Sequence, residues 1–335
     1  MIKKTIAISV AILVMSGCGS KHYFKPENTA SASSQTQNFG NSIAYVNKDS
    51  ATFEDGNVIS KNALIKFKMP KGFHLVNSIS DYLITANALG DVNVVHPEGR
   101  SKTIHFEKPL LAGTLLSSGV LVYLLQDNSY GMYDLQNDKI TYHNKSDKVY
   151  AIDTKIANPL VIDNLAVIPT LSGKLVILNT QNATVVKELY VSTQSSLNNV
   201  IFLKSLKNTL VSATPHSVIF VDAKGKGEYK ADISNVETDA QSVFVFTKDG
   251  KIVQLDENLK MINEKKFQFA HFSSSGISAD KLFALDKQGF LIVANKSLSK
   301  SKIYKLEEVD ESTFLAHGKL FYDGLMVDVD KLSFE

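Results

Sequence analysis

The chain has 335 residues, 36 Lys and Arg against 34 Asp and Glu, and a single cysteine. Hydrophobic residues make up 44% and charged residues 21%, which excludes global disorder, while one cysteine excludes an internal disulfide framework and any multi-thiolate metal site. With Lys3 and Lys4 set aside, the remainder is neutral at pH 7, so it offers no electrostatic footprint for nucleic acid.

Residues 1–17 begin Met-Ile-Lys-Lys, continue with an apolar stretch over 5–15 and end in Ser16-Gly17. A basic start, a short apolar core and small residues before a cut site form a secretory signal peptide. Its apolar core would span about 16 Å as a helix, too short for a bilayer interior of about 30 Å. Met15-Ser16-Gly17-Cys18 resembles a bacterial lipobox, with Met15 where leucine is usual. That resemblance implies that Cys18 becomes the mature N-terminus and carries acyl chains. At about 0.8 kcal/mol per buried CH₂, such chains hold a water-soluble domain on a membrane. By the same resemblance, Gly19 after the cysteine implies the outer membrane.

Residues 18–41 are rich in Ser, Thr, Asn and Gln and lack apolar periodicity. They read as a flexible tether following the lipidated cysteine, with a root-mean-square span of about 25–30 Å.

From residue 42 to 335 the pattern is short apolar runs separated by Gly, Asp, Asn or Ser, with no sustained helical period. The runs recur as a unit. One strand is almost wholly apolar, a tight polar turn follows, and a second strand ends in Asp, Asn or His. Residues 164–179, 241–256 and 280–295 are the clearest copies. The turn markers Ser50, Gly90, Gly131, Gly173, Ser217, Gly250, Gly289 and Gly324 recur every 33 to 44 residues. The residues closing the second strand, Asp55, His96, Asp134, Asn179, Asp222, Asp256, Asn295 and Asp328, keep the same rhythm. Each period holds about four strands, which predicts an all-β propeller of four-stranded antiparallel blades. Eight markers favour eight blades over seven, with the ring closed by pairing of terminal strands. A stacked sandwich or solenoid is the alternative. The apolar strand suits the interior of a blade, buried on both faces. The Asp or Asn suits an Asx turn.

Catalytic patterns are absent. The histidines form neither His-x-His nor His-Glu-x-x-His, and the glycines form no phosphate loop. His96 and His105 on one hairpin, and Asp328 with Asp330, are the nearest approaches to a metal site. Ser212, His216 and Asp222 lack the strand–turn–helix elbow that an activated serine requires. A non-catalytic protein without a cofactor is the expectation.

The segments 131–140 and 174–189 resemble the repeat of quinoprotein-type propellers, in which a strand closes in Asp before a Thr-Gly-like turn. The tryptophans that lock those blades are missing here, and no cluster of cofactor-binding channel residues matches. With the lipobox, the repeat resembles the propeller lipoproteins of the outer-membrane β-barrel assembly machinery. That resemblance implies an outer-membrane lipoprotein facing the periplasm, whose loops grip a periplasmic domain of the barrel-forming subunit. Two further readings use the same architecture: a propeller enzyme or small-ligand binder working in its central channel, and a surface-exposed adhesin lipoprotein.

Partners bind propellers through the loops between blades. The longest here are 144–157 and 190–199. Tyr150, Tyr190 and Leu197 are large side chains in polar surroundings within them, which makes them candidate partner-binding residues. Packing against the next blade is the competing reading for all three.

Overall fold

The computed structural model describes residues 22–335 except 64, 97–98, 146, 308 and 310–311. The lipobox, Cys18 and the leader therefore lie outside the described residues. Among those described, no helix is long and apolar enough to cross a membrane.

Eight sheets follow one another along the chain, and successive strands pair antiparallel within each. Blade 1 has three strands, Ile43–Val46, Ser50–Phe53 and Val58–Ser60. Blades 2 to 7 each have four strands in sequence order. Their innermost strands are Phe73–Ile79, Leu110–Leu115, Leu160–Ile162, Phe202–Leu206, Ile233–Thr238 and Phe272–Ser278. Blade 8 takes Thr313–Ala316, Lys319–Tyr322 and Leu325–Asp328 from the C-terminal end and Thr36–Asn38 from the N-terminal end. The eight-bladed ring is thus closed by pairing terminal strands, with Gln37 opposite Met326.

Burial explains why the sequence reads as it does. The second strand of each blade is buried along nearly its whole length, as in Val120–Leu125 and Val243–Thr247, because it packs on the blades before and behind it. Outermost strands such as Thr184–Tyr190 and Gly225–Lys230 are largely exposed, and Gly225–Lys230 is correspondingly polar. One apolar cluster fills each seam between neighbouring blades. The two seams flanking blade 1 hold three and four buried residues, against eight to thirteen at the others. The blade 8–blade 1 seam is supplemented by Phe39, whose ring lies 4.9 Å from Phe53 and 5.1 Å from Phe321.

The Asx turns expected after the third strands are present. Asp134 accepts the Gln136 and Asn137 amides, and Asn179 accepts those of Gln181 and Asn182. Asp222 and Asp256 make the same turn. Three turn markers do not mark turns. Ser50 and Ser217 open strands, and Gly131 lies inside one, where an added Cβ would run into the Tyr142 carbonyl and the Tyr123 hydroxyl. The left-handed turn residue of that hairpin is Asn128, at φ +68°.

The tether expectation is corrected over 22–41. His22 stacks on Phe269 at 4.9 Å, and Phe24 is buried edge-on to Phe267 and Phe290. Ala30–Ser31 then adds a fifth, parallel strand outside Ser301–Lys305 of blade 7. Thr36–Asn38 completes blade 8, so the propeller begins before residue 42. This segment is a strap around the rim. Its polar composition misleads because an outermost strand faces solvent and carries the same composition as a linker.

Candidate functional site

Two surfaces stand out, a loop shelf on blades 3 to 5 and the central channel. The shelf is built by the loops 144–157 and 190–199, which the structure brings together. The Leu197 amide donates to the Ala151 carbonyl at 3.0 Å, and Asn199 Oδ1 accepts the Asp153 amide at 2.5 Å. Asn198 fixes the second loop from beneath, donating Nδ2 to the Ser172, Ser192 and Gln194 carbonyls at 3.0, 3.1 and 3.0 Å. Its Oδ1 is buried without a hydrogen-bond partner. Lys174 ties the two loops, reaching Asp147 at 2.6 Å and lying 5.4 Å above the Tyr190 ring.

Tyr150, Tyr190 and Leu197 all lie on this shelf. Tyr150 is 81% exposed, whereas Tyr190 is 48% and Leu197 38% exposed. Leu197 also holds φ +48°, a strained value for a non-glycine residue, directly before the buried Asn198. Exposed large apolar side chains on an ordered loop are the form that interface anchors take. The outer strand that ends in Tyr190 adds Val185 and Val186, at 40% and 58% exposure, to the same flank.

The second surface, the central channel, is where the sequence alone allows a small-ligand or enzyme site, with no residues assigned to it. The turn Asn47–Lys48–Asp49 of blade 1 and the end of its last strand at Lys61–Asn62 project into the ring centre. Two adjoining hollows of 170 and 220 Å³ share Lys48, Asp49, Asn62 and Lys204. Lys61 pairs with the buried Glu237 of blade 6 at 3.3 Å, and Ser275 of blade 7 donates to the same oxygen at 3.1 Å. Lys48 and Lys204 both lie over Phe202 of blade 5, at 4.7 and 5.8 Å from the ring centre. Lys155, from the loop that carries Tyr150, crosses the ring and donates to the Ser234 carbonyl of blade 6 at 2.7 Å. Burial pulls Lys48 down to about 7, a shift that Glu237 and Asp49 oppose and Lys61 and Lys155 reinforce. Burial likewise pulls Lys155 down to about 8. Burial of Glu237 favours its neutral form, but Lys61, Lys48 and Lys204 together hold it below the usual carboxylate range. Four lysines thus meet Asp49, Glu237 and, beside Lys155, Asp153 in a partly dehydrated space.

The patterns considered for chemistry do not assemble. His105 pairs with Asp91 at 2.9 Å, at the opposite end of its hairpin from His96, whose ring meets Tyr82. Ser212 donates to the Phe202 carbonyl, His216 contacts the Ser196 carbonyl and Asp222 caps its own turn. Asp328 pairs with Lys331 at 3.0 Å. Among the described residues no three His, Cys, Asp or Glu side chains are grouped to hold a metal.

Comparison with known proteins follows the same division between fold and sequence. No protein-family model matches the chain. The plasminogen-binding protein PgbB of Helicobacter pylori J99 is 23% identical over 382 aligned positions, which take in 99% of this chain and 71% of that protein. The same protein from strain 26695 is also 23% identical, over 99% and 70%. The likeness runs along nearly the whole of this chain. Among solved structures, BamB from Moraxella catarrhalis superposes with a TM-score of 0.61 at 13% identity, over 73% of this chain and 80% of that one. The C-terminal WD40 domain of Sif2 gives 0.62 at 11% identity, over 85% and 94%. The designed protein Ika8 gives 0.59 at 10% identity, over 88% and 96%. These likenesses establish the propeller fold. They do not distinguish among the many uses of it.

Proposed function

We propose that the chain is a non-catalytic, protein-binding propeller of the bacterial cell envelope. Lipidated Cys18 holds it at the outer membrane, and the shelf formed by 144–157 and 190–199 engages the partner. The observation that carries this reading is the sequence likeness to a plasminogen-binding protein along nearly the whole of this chain. The shelf supports it, with Tyr150, Tyr190 and Leu197 exposed on loops that Asn198, Asn199 and Lys174 keep ordered. An ordered shelf loses little conformational entropy on binding. A shared membrane raises the effective concentration of a membrane-bound partner, so a weak contact suffices there.

The partner favoured by the sequence likeness is plasminogen. The superposition on BamB favours a second reading, a scaffold of outer-membrane barrel assembly that docks a periplasmic domain of the barrel-forming subunit. Immobilised propeller titrated with each protein in turn separates them. Saturable binding of plasminogen that weakens at least tenfold when Tyr150, Tyr190 and Leu197 are changed to Ala supports the first reading. The same behaviour with the periplasmic domain supports the second. Binding that the triple replacement leaves intact rules out the shelf, and failure of both proteins to bind rules out both partners.

A further inference from the structure

The channel lysines are not accounted for by partner binding at the shelf. Lys48, Lys61 and Lys204 line the joined hollows, and Lys155 reaches in from the blade 3–blade 4 loop. Asp49 and Glu237 oppose them in the hollows, and Asp153 opposes Lys155. Glu237 is engaged by Lys61 and Ser275, and Asp49 accepts the Asn158 side chain at 3.3 Å. That leaves a positive excess at a site walled by Phe202, Ile277 and Leu315. Removing lysines from water without an opposing charge is costly. A cationic recess with low-dielectric walls also focuses its field on whatever enters.

We propose that the central channel is a binding site for a small multivalent anion, one bearing two or more carboxylate or phosphate groups. Lys48 and Lys204 flank Phe202 from one side of the hollow, and Lys61 stands beside Glu237. Three ammonium groups, two from blade 1 and one from blade 5, match an anion with separated charges better than a single chloride. Size argues the same way. Drug-sized ligands occupy about 300–1,000 Å³, and hollows of 170 and 220 Å³ suit something smaller. Binding adds the opposing charge that the lysines lack, so it stabilises the ring where blade 1 meets the rest.

The site also sets a pH dependence. The groups facing it are Lys48, Lys61, Lys155, Lys204, Asp49, Glu237 and His317 of the blade 8 turn, with Asp153 and Lys248 near Lys155. Lys48 and Lys155 lose their protons near 7 and 8, so the site holds its full positive charge only below neutrality. Anion binding therefore weakens as pH rises from about 6.5 to 9.

The test is calorimetric titration of the purified full chain with citrate and with pyrophosphate, each against sodium chloride at matched ionic strength. Saturable binding of either anion, weakened at least tenfold in Lys48→Met with Lys204→Met, is expected. Lys224→Gln, in an exposed turn of blade 5, is expected to bind as the parent does. Citrate binding as well as pyrophosphate assigns the site to carboxylates and phosphates alike, and preference for one names the source. Lys48→Met alone is expected to raise the melting temperature at pH 6 without anion, because it removes a dehydrated charge, which shows that the variants fold. Absence of saturable binding, or equal binding in the double variant, overturns the proposal. So does an acidic peptide that binds where both small anions fail.

Discussion

At the scale of single residues, the structure turns common side chains into special ones by where the ring places them. His74 lies on the innermost strand of blade 2, with its ring stacked on Tyr45 at 3.7 Å. Burial lowers its pKa from the usual 6.5 to about 4. Between those values the unfolded chain binds a proton there that the folded chain does not. Folded-state stability therefore falls as pH drops from 6.5 to 4 and levels off below. Melting curves across that window should show the loss, and His74→Phe, which keeps the stack on Tyr45, should flatten it. An unchanged slope in the variant would place the acid sensitivity elsewhere. The channel lysines were not legible in the sequence for a physical reason. Lys48 sits in a turn, Lys61 follows a strand, Lys155 lies in a linker and Lys204 lies in a strand, so no local motif joins them. Only ring closure brings them within reach. Tyr150, Tyr190 and Leu197 were legible because each is a large side chain in a polar run, a contrast visible without the fold.

At the scale of elements, legibility followed burial. The second strands announced themselves because both faces are covered, which leaves an apolar run such as Val120–Leu125 with little room for polar residues. The Asx turns announced themselves because Asp134, Asn179, Asp222 and Asp256 must sit at the strand end to accept the next amides. The strap was missed because Thr36–Asn38 and Ala30–Ser31 face solvent, and only Phe24, Ala32 and Phe39 betray the contact. Phe24 is 5% exposed, wedged between Phe267 and Phe290. Phe24→Ala should cost about 3 kcal/mol, read by chemical denaturation. A loss below about 0.5 kcal/mol would mean that the strap does not hold in solution. Blade 1 is the weakest element, since its flanking seams bury the fewest residues. Amide exchange should be fastest in Ser50–Phe53 among all the second strands. Faster exchange in Val243–Thr247, which lies between two large clusters, would contradict this ranking.

At the scale of the whole molecule, the strap changes what a lipid anchor would do. His22 and Phe24 are docked at the seam of blades 6 and 7, so only Gly19, Ser20 and Lys21 separate Cys18 from the ring, a reach of four residue steps. That length reaches about 14 Å at full extension. A lipidated Cys18 would therefore hold the rim at blades 6 and 7 close to the membrane, where a long tether would leave the ring free to tumble. Cys18→Ser should move the protein from the membrane fraction to the soluble fraction of lysed cells, and retention in the membrane would contradict anchoring at that residue.

The central claim, that this shelf binds a protein, is tested most directly by cross-linking in living cells. A photoreactive residue placed at Tyr150 or Leu197 should capture one protein partner, identified by mass spectrometry. The same residue placed at exposed Lys224 should capture none. Plasminogen recovered from cells exposed to it, or a barrel-assembly subunit recovered from the envelope, would name the partner. Cross-links absent from both shelf positions, under conditions where known envelope complexes are captured, would contradict the account.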